Sequence, residues 1–206
     1  SHLPMTLCRG IEEDSELAVW LFERILPLEA KFISPDFCKT GMELAALECL
    51  RFGTTTVNEM YFFPELSLKV WDAAGLRGIF SQAFVDGPLP EDSYLGPDRI
   101  CRFQKLFEKY KNHKRLKVGL APHAPYTCGD DLLKELAELS QKTKASLHIH
   151  LSETAFEVEE SIRIHKMRPT FRLEKLGILG PRTNCAHSVH INEEEINPEE
   201  EHDRNN

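Results

Sequence analysis

The chain predicts an α/β fold built on a parallel sheet with crossover helices, and three features of the sequence point there. From residue 54 onward, short β-branched and apolar runs alternate with longer amphipathic ones, so that each strand is followed by a helix able to return over the sheet. Glycines close the amphipathic runs at Gly53 and Gly75, where a left-handed residue ends a helix. Several of the apolar runs end in a histidine-bearing segment.

Taken in order, Glu16 to Ile25 and Gly41 to Phe52 read as helices, the second stopped by Gly53. Thr54 to Phe62 reads as a strand, Pro64 to Ala74 as a helix, and Leu76 to Val85 as the next strand. A Gly/Pro-rich loop leads to a helix over Ile100 to Tyr110, then to a strand over Leu116 to Ala121 that enters the turn Pro122-His-Ala-Pro125. Asp130 to Lys144 is the clearest helix, with acids in its first turn, lysines in its last, and Leu132, Leu133, Leu136 and Leu139 along one face. Ser146 to Leu151 and Thr183 to Ile191 are further strands, with helices over Thr154 to His165 and Thr170 to Leu176 between them. A strand ahead of His2 would make six. Residues 1–192 form one domain in this reading, and the acidic tail over 193–206, with almost no apolar periodicity, is expected to be disordered.

Composition narrows the function classes. With 206 residues, 41% apolar and 28% charged, the chain can build a sizeable core. A net charge of -8 argues against general attraction to nucleic acid or an anionic membrane surface, both of which need clustered Lys and Arg. The basic run Lys109 to Lys117 is short and reads as a solvated helix end. Six cysteines without CxxC spacing fit reduced thiols in the cytoplasm, and no apolar run is long enough to span a bilayer.

The chemistry concentrates in His148-Ile-His-Leu-Ser-Glu-Thr154 and Ala186-His-Ser-Val-His190. Residues two apart share a strand face, so His148 and His150 point the same way, with Glu153 at the strand end. A lone inward histidine is usually a hydrogen-bonded core residue, and a lone Glu153 would read as an N-terminal helix acid. Imidazoles recur at His187, His190 and His123, each after another strand, and at His2, which packing alone does not explain. At the carboxyl ends of barrel strands such side chains converge on one pocket. Neutral imidazoles bind zinc or iron, and a carboxylate that is not a ligand can move protons beside the bound ion.

Together with His2-Leu-Pro-Met-Thr-Leu-Cys-Arg-Gly, Trp20-Leu-Phe-Glu-Arg-Ile-Leu-Pro-Leu-Glu29, Gly53-Thr-Thr-Thr, Met60-Tyr-Phe-Phe and Ala121-Pro-His-Ala-Pro-Tyr126, these runs resemble the amidohydrolase superfamily, in particular its methylthioadenosine/S-adenosylhomocysteine deaminase and triazine hydrolase branch. The resemblance covers residues 1 to about 195. It implies an incomplete (β/α)8 TIM-type barrel, with about six of eight parallel strands present, and one divalent metal, Zn2+ or Fe2+. His2 and His150 resemble metal ligands, Glu153 the proton shuttle, and His187 the residue that holds the attacking hydroxide. His123 resembles a substrate-contacting position and Glu29 an acid that binds a ribose diol. Trp20 resembles a wall of that pocket, although a buried aromatic on an amphipathic helix accounts for it equally well.

Departures from the family pattern qualify this. The first ligand of the His-x-His motif would precede Ser1, and no strand ending in Asp follows the sixth. Gln82 stands where some deaminases of the branch carry an Arg. Arg99 and Arg102 could replace it, but surface helix charges are the simpler reading. The resemblance implies deamination of an adenosine-type nucleoside, such as methylthioadenosine or S-adenosylhomocysteine, by attack of metal hydroxide on the amine-bearing ring carbon. The alternatives are a triazine dechlorinase or deaminase and a catalytically inert fragment that binds metal weakly. The expected partner is a small molecule, a nucleoside or heteroaromatic amine, and exposed sheet edges favour a homo-oligomer.

Overall fold

A computed structural model describes residues 1–196, and the chain divides after Ala121 into two compact units. In the first unit, Leu3–Cys8 form a 3₁₀ turn directly after His2. Val19–Ile25 wind as a π-helix that runs without a break into helix α1 (Leu26–Phe32). The helix expected to end at Ile25 therefore continues. Pro27 lies inside this continuous run, just after the wider π winding, where its missing N–H leaves one intrahelical bond unmade.

Helix α2 (Pro35–Phe52) starts ahead of the expected Gly41, because Ser34 caps it through a 3.1 Å bond from the Phe37 N–H and Pro35 opens its first turn. Gly53, at φ 79°, closes it. Gly41 permits a close approach. A Cβ there would lie 2.3 Å from the Pro4 carbonyl oxygen, so the 3₁₀ turn beside His2 can rest on α2 only over a bare backbone. The Thr6 hydroxyl donates to the Gly41 carbonyl at 3.1 Å and fixes that contact.

Strand β1 (Thr56–Tyr61), α3 (Pro64–Ala73), β2 (Arg77–Phe84), α4 (Asp92–Leu95), α5 (Arg99–Tyr110) and β3 (Leu116–Pro122) follow in the expected alternation. The strands of this unit are ordered β1-β2-β3. β1 and β2 run parallel in a register from Thr56↔Arg77 to Tyr61↔Gln82. Ser1 bonds to β1 in strand fashion, its carbonyl accepting from the Met60 N–H at 3.0 Å. Trp71, Phe80, Phe103, Met42, Met60 and Leu68 are fully buried in this unit.

The second unit holds α6 (Asp130–Thr143), β4 (Leu147–Leu151), α7 (Ala155–His165), α8 (Pro169–Lys175), β5 (Thr183–His187) and the single turn α9 (Glu193–Ile196). β4 and β5 are parallel, pairing Leu147↔Thr183 through Leu151↔His187. Every residue of β4 is buried, as in a parallel strand covered on both faces, whereas β5 is half exposed. β5 stops at His187 rather than Ile191 because His187 and Ser188 take φ values of 70° and 53°. At the start of the acidic tail, Arg168 Nε lies 2.7 Å from Glu195 Oε2, and the Asn192 side chain accepts from the Glu195 N–H. The rest of that tail, 197–206, lies outside the described residues. Among the described residues no helix is long and apolar enough to cross a membrane.

Candidate active site

In the second unit, the segments after β3, β4 and β5 gather three imidazoles. The His150 ring lies 4.8 Å from that of His123 and 5.3 Å from that of His187, the latter pair stacked at 28°. His150 Nδ1 sits 2.8 Å from the His123 carbonyl oxygen, and that same oxygen accepts the His150 N–H at 3.0 Å. A ring nitrogen facing a carbonyl must carry the proton, so the lone pair of neutral His150 is on Nε2. Metal-ligating histidines are commonly oriented in this way. His148 is buried on the same strand face, with its ring 6.3 Å from that of His150.

Glu153 follows β4, and its Oε2 is 3.5 Å from His187 Nε2. Both residues are reached through left-handed backbone: Ser152 has φ 47°, and His187 and Ser188 are also positive. Such residues cost on the order of 1 kcal/mol each and persist where surrounding bonds enforce them. The bonds are present. The Ser188 N–H donates to the Leu151 carbonyl at 2.8 Å and the His190 N–H to that of Ser152 at 2.9 Å. The Ser152 and Glu153 N–H groups both donate to the buried Glu157 carboxylate, each at 2.9 Å. Burial pushes the Glu157 carboxyl up from its ordinary value, and those two N–H donors pull it back.

Glu157 is outside the expected set although its sequence marks it, since Thr154-x-x-Glu157 is a capping box: Thr154 Oγ1 accepts from the Glu157 N–H while the carboxylate reaches back past the cap. Arg172 left no comparable signal. The residue is 4% exposed, and its guanidinium donates to the carbonyls of Pro125 and Cys128 and to Asp130, clamping the loop that carries His123. His190 is exposed, and its backbone rather than its ring is used in these contacts.

The first unit carries the other candidates. His2 Nδ1 lies 2.9 Å from the Ser1 carbonyl oxygen, which again puts the lone pair of the neutral ring on Nε2. The buried Glu59 carboxylate accepts from the Leu3 N–H at 2.9 Å and from the Ser1 hydroxyl at 2.9 Å, tying both neighbours of His2 to β1. A hollow of about 350 Å³ is lined by His2, Met5, Arg9, Glu12, Trp20 and Ile25 among others. The Trp20 indole N–H donates to the Glu12 carbonyl at 3.3 Å. Glu29 is 7% exposed, and its Oε1 accepts the Tyr61 hydroxyl at 2.6 Å. Burial raises both the Glu29 carboxyl and the Tyr61 phenol above their ordinary values.

Gln82 is not open to a ligand in the simple way its position suggests. It donates to Glu91 Oε1 at 2.5 Å, and Arg102 bonds the same oxygen at 2.9 Å. Glu91 Oε2 accepts the Phe63 N–H at 2.6 Å. Arg99 is paired with Asp92. The reading of Arg99 and Arg102 as surface charges is thus corrected: their side chains are only 12% and 16% exposed, because Glu91 and Asp92 fold back onto α5.

The amidohydrolase family model matches residues 1–206. The 5-methylthioadenosine/S-adenosylhomocysteine deaminase of Thermodesulfovibrio yellowstonii is 41% identical over 196 residues, and the 5'-deoxyadenosine deaminase of Methanothermobacter thermautotrophicus 39% over 198, each alignment covering 95% of this chain. They cover 44% and 45% of those proteins, so the chain spans less than half the length of the curated relatives it matches. Among solved structures, a zinc-bound adenosine deaminase from Xanthomonas campestris superposes with a TM-score of 0.89 at 36% identity, over 95% of this chain and 44% of that one. A triazine hydrolase from Arthrobacter aurescens gives 0.84 at 23% identity, over 95% and 48%, and shares the fold. The five strands thus form part of a (β/α)8 barrel.

Proposed function

This chain belongs to the amidohydrolase family, and we propose that it contributes the catalytic groups of a zinc-dependent aminohydrolase acting on adenosine-type nucleosides such as methylthioadenosine. The observation that carries the reading is the His150 centre: a ring flanked by His123 and His187, its Nδ1 committed to a backbone carbonyl, with Glu153 beside His187. The donor chemistry fits a metal, since His2 and His150 each hold their neutral lone pair on Nε2 and imidazole nitrogen suits zinc. His2 and His150 are the proposed ligands.

A bound divalent ion would acidify a water molecule and so supply a nucleophile near neutral pH. Glu153 would serve as the base that takes a proton from the attacking water and hands it to the ring nitrogen or to the departing amine, and His187 would hold that water by a hydrogen bond. The bond broken is between the ring carbon and the exocyclic nitrogen, which leaves as ammonia. His123 contacts the substrate, with Nδ1 held 3.0 Å from the Thr127 hydroxyl. Glu29 accepts the hydroxyls of the ribose, and Trp20 walls the apolar side of the pocket.

Displacement of chloride or an alkylamine from a triazine is the second reading, favoured by the shared fold with triazine hydrolases. A triazine has no diol to match Glu29, so the nucleoside stands first. Ammonia release from methylthioadenosine, 5'-deoxyadenosine and adenosine, with chloride release from a chlorotriazine measured in parallel, separates the two. Ammonia from the nucleosides is expected. Chloride release alone, or no product from any of them, would overturn the proposal.

A further inference from the structure

Glu29 and Tyr61 form a buried acid–phenol pair. Glu29 lies in the first turn of α1 at 7% exposure, and Tyr61 ends β1 at 6%. The phenol donates to Oε1 at 2.6 Å, and among the described residues no Lys, Arg or His forms an ion pair with this carboxylate. Burying a charge is costly, and one O–H···O bond offsets only part of the cost. Ionised carboxylate oxygens have about four acceptor positions, of which Tyr61 fills one. What remains suits hydroxyl donors.

The Tyr61 ring is itself held fast. It packs in a buried cluster with Ile33, Cys38, Phe62 and Phe63, its centroid 4.6 Å from that of Phe62. Its hydroxyl proton is committed to Glu29, so Tyr61 acts on a ligand through Glu29 and not directly. The desolvation that pushes the Glu29 carboxyl toward its neutral form is opposed by this one phenol. A protonated Glu29 would lose acceptor capacity.

Resting on the nucleoside reading above, we propose that Tyr61 is the positioning residue that sets specificity for a vicinal diol: by fixing Glu29 through Oε1, it presents the rest of the carboxylate to the two hydroxyls of a ribose. The preference for ribonucleosides over sugars lacking the diol then resides in the pair and not in Glu29 alone.

The test measures kcat and KM of the complete, zinc-loaded protein for adenosine and for 2',3'-dideoxyadenosine. Wild type is compared with Tyr61→Phe, Glu29→Gln and the double variant. Tyr61→Phe should raise KM for adenosine about tenfold, the scale of one hydrogen bond to a charged group, with kcat within about twofold. KM for the dideoxynucleoside should stay within about twofold, and adding Tyr61→Phe to Glu29→Gln should change neither substrate by more than that. The double variant also removes the buried charge, so the comparison survives if Tyr61→Phe alone fails to fold. Equal losses on both substrates, or a Tyr61→Phe effect undiminished in the Glu29→Gln background, would overturn the proposal. If the wild type deaminates neither substrate, the nucleoside reading itself fails. If it deaminates adenosine and Tyr61→Phe leaves the preference intact, only this inference is lost.

Discussion

The buried acid that holds the turn after β4 is a neighbour of that turn in the chain, whereas the buried acids around β1 meet partners from far away. Glu157 reaches the amides of Ser152 and Glu153 across five and four positions. Tyr61 meets Glu29 across 32 positions, Glu91 meets the Phe63 N–H across 28, and Ser1 meets Glu59 across 58. The first arrangement is helix capping adapted to hold a strand-end turn, so its geometry is set by local backbone physics. The second is a set of buried acids, each satisfied by whatever the tertiary fold delivers. Substitutions at the turn after β4 should therefore reach kcat, directly or by loosening the turn, and those around β1 should act on binding and stability.

The largest departure from wild type is expected at Glu153. Glu153→Gln keeps the shape and removes the base, and should lower kcat by about 10²–10⁴ while bound zinc is unchanged. Single-turnover kinetics with parallel metal analysis reads both. An equal loss of zinc would mean that Glu153 serves the metal and not the proton, and the contrast between the two regions would blur.

A smaller effect is expected one turn along α7. Glu157→Gln leaves one carbonyl oxygen where two N–H donors now find a carboxylate, which costs about 1–3 kcal/mol of stability in denaturant unfolding. Because the Ser152 turn then loosens, kcat should fall more than KM rises. A variant that lost stability without losing kcat would show that the turn is held by the strand-end bonds to Ser188 and His190 instead.

The smallest effect concerns pH. Arg172 holds the Asp130 carboxyl below its ordinary value of 3.8. A depressed folded-state value means that the pair's contribution is complete above the unfolded value and is lost as pH falls through the folded one, so the window lies below about pH 4. Asp130 is 48% exposed, and solvent screening keeps the contribution below about 1 kcal/mol. Asp130→Asn should flatten the acid limb of the stability curve by that amount, measured by urea unfolding between pH 2 and 6. A steeper acid limb in the variant would contradict the assignment.

How much was legible in the sequence follows the same division. His123, His150, Glu153 and His187 stand out because each follows an apolar run, and a strand end is where such residues collect. The alternation of elements was legible for the same reason, down to Gly53 and Gly75 as helix stops. Tyr61 was hidden inside Met60-Tyr-Phe-Phe, which reads as ordinary strand, since periodicity says nothing about a hydroxyl's partner. Arg99 and Arg102 read as surface charges because their acids, Glu91 and Asp92, belong to a separate short helical segment that only tertiary packing folds back. Pro27 in α1 and the left-handed His187 misled the element ends, each through backbone geometry that composition does not record.

Catalysis of the proposed kind needs a divalent ion held by imidazole and serving Glu153, and zinc-dependent ammonia release tests that most directly. The complete protein, stripped with a chelator and titrated back with zinc, is assayed on methylthioadenosine. Ammonia production should be lost on stripping, return in proportion to zinc bound, and fail to return in His150→Ala. Ammonia release unaffected by chelation, or restored by zinc in His150→Ala as fully as in wild type, would contradict a metal-centred mechanism.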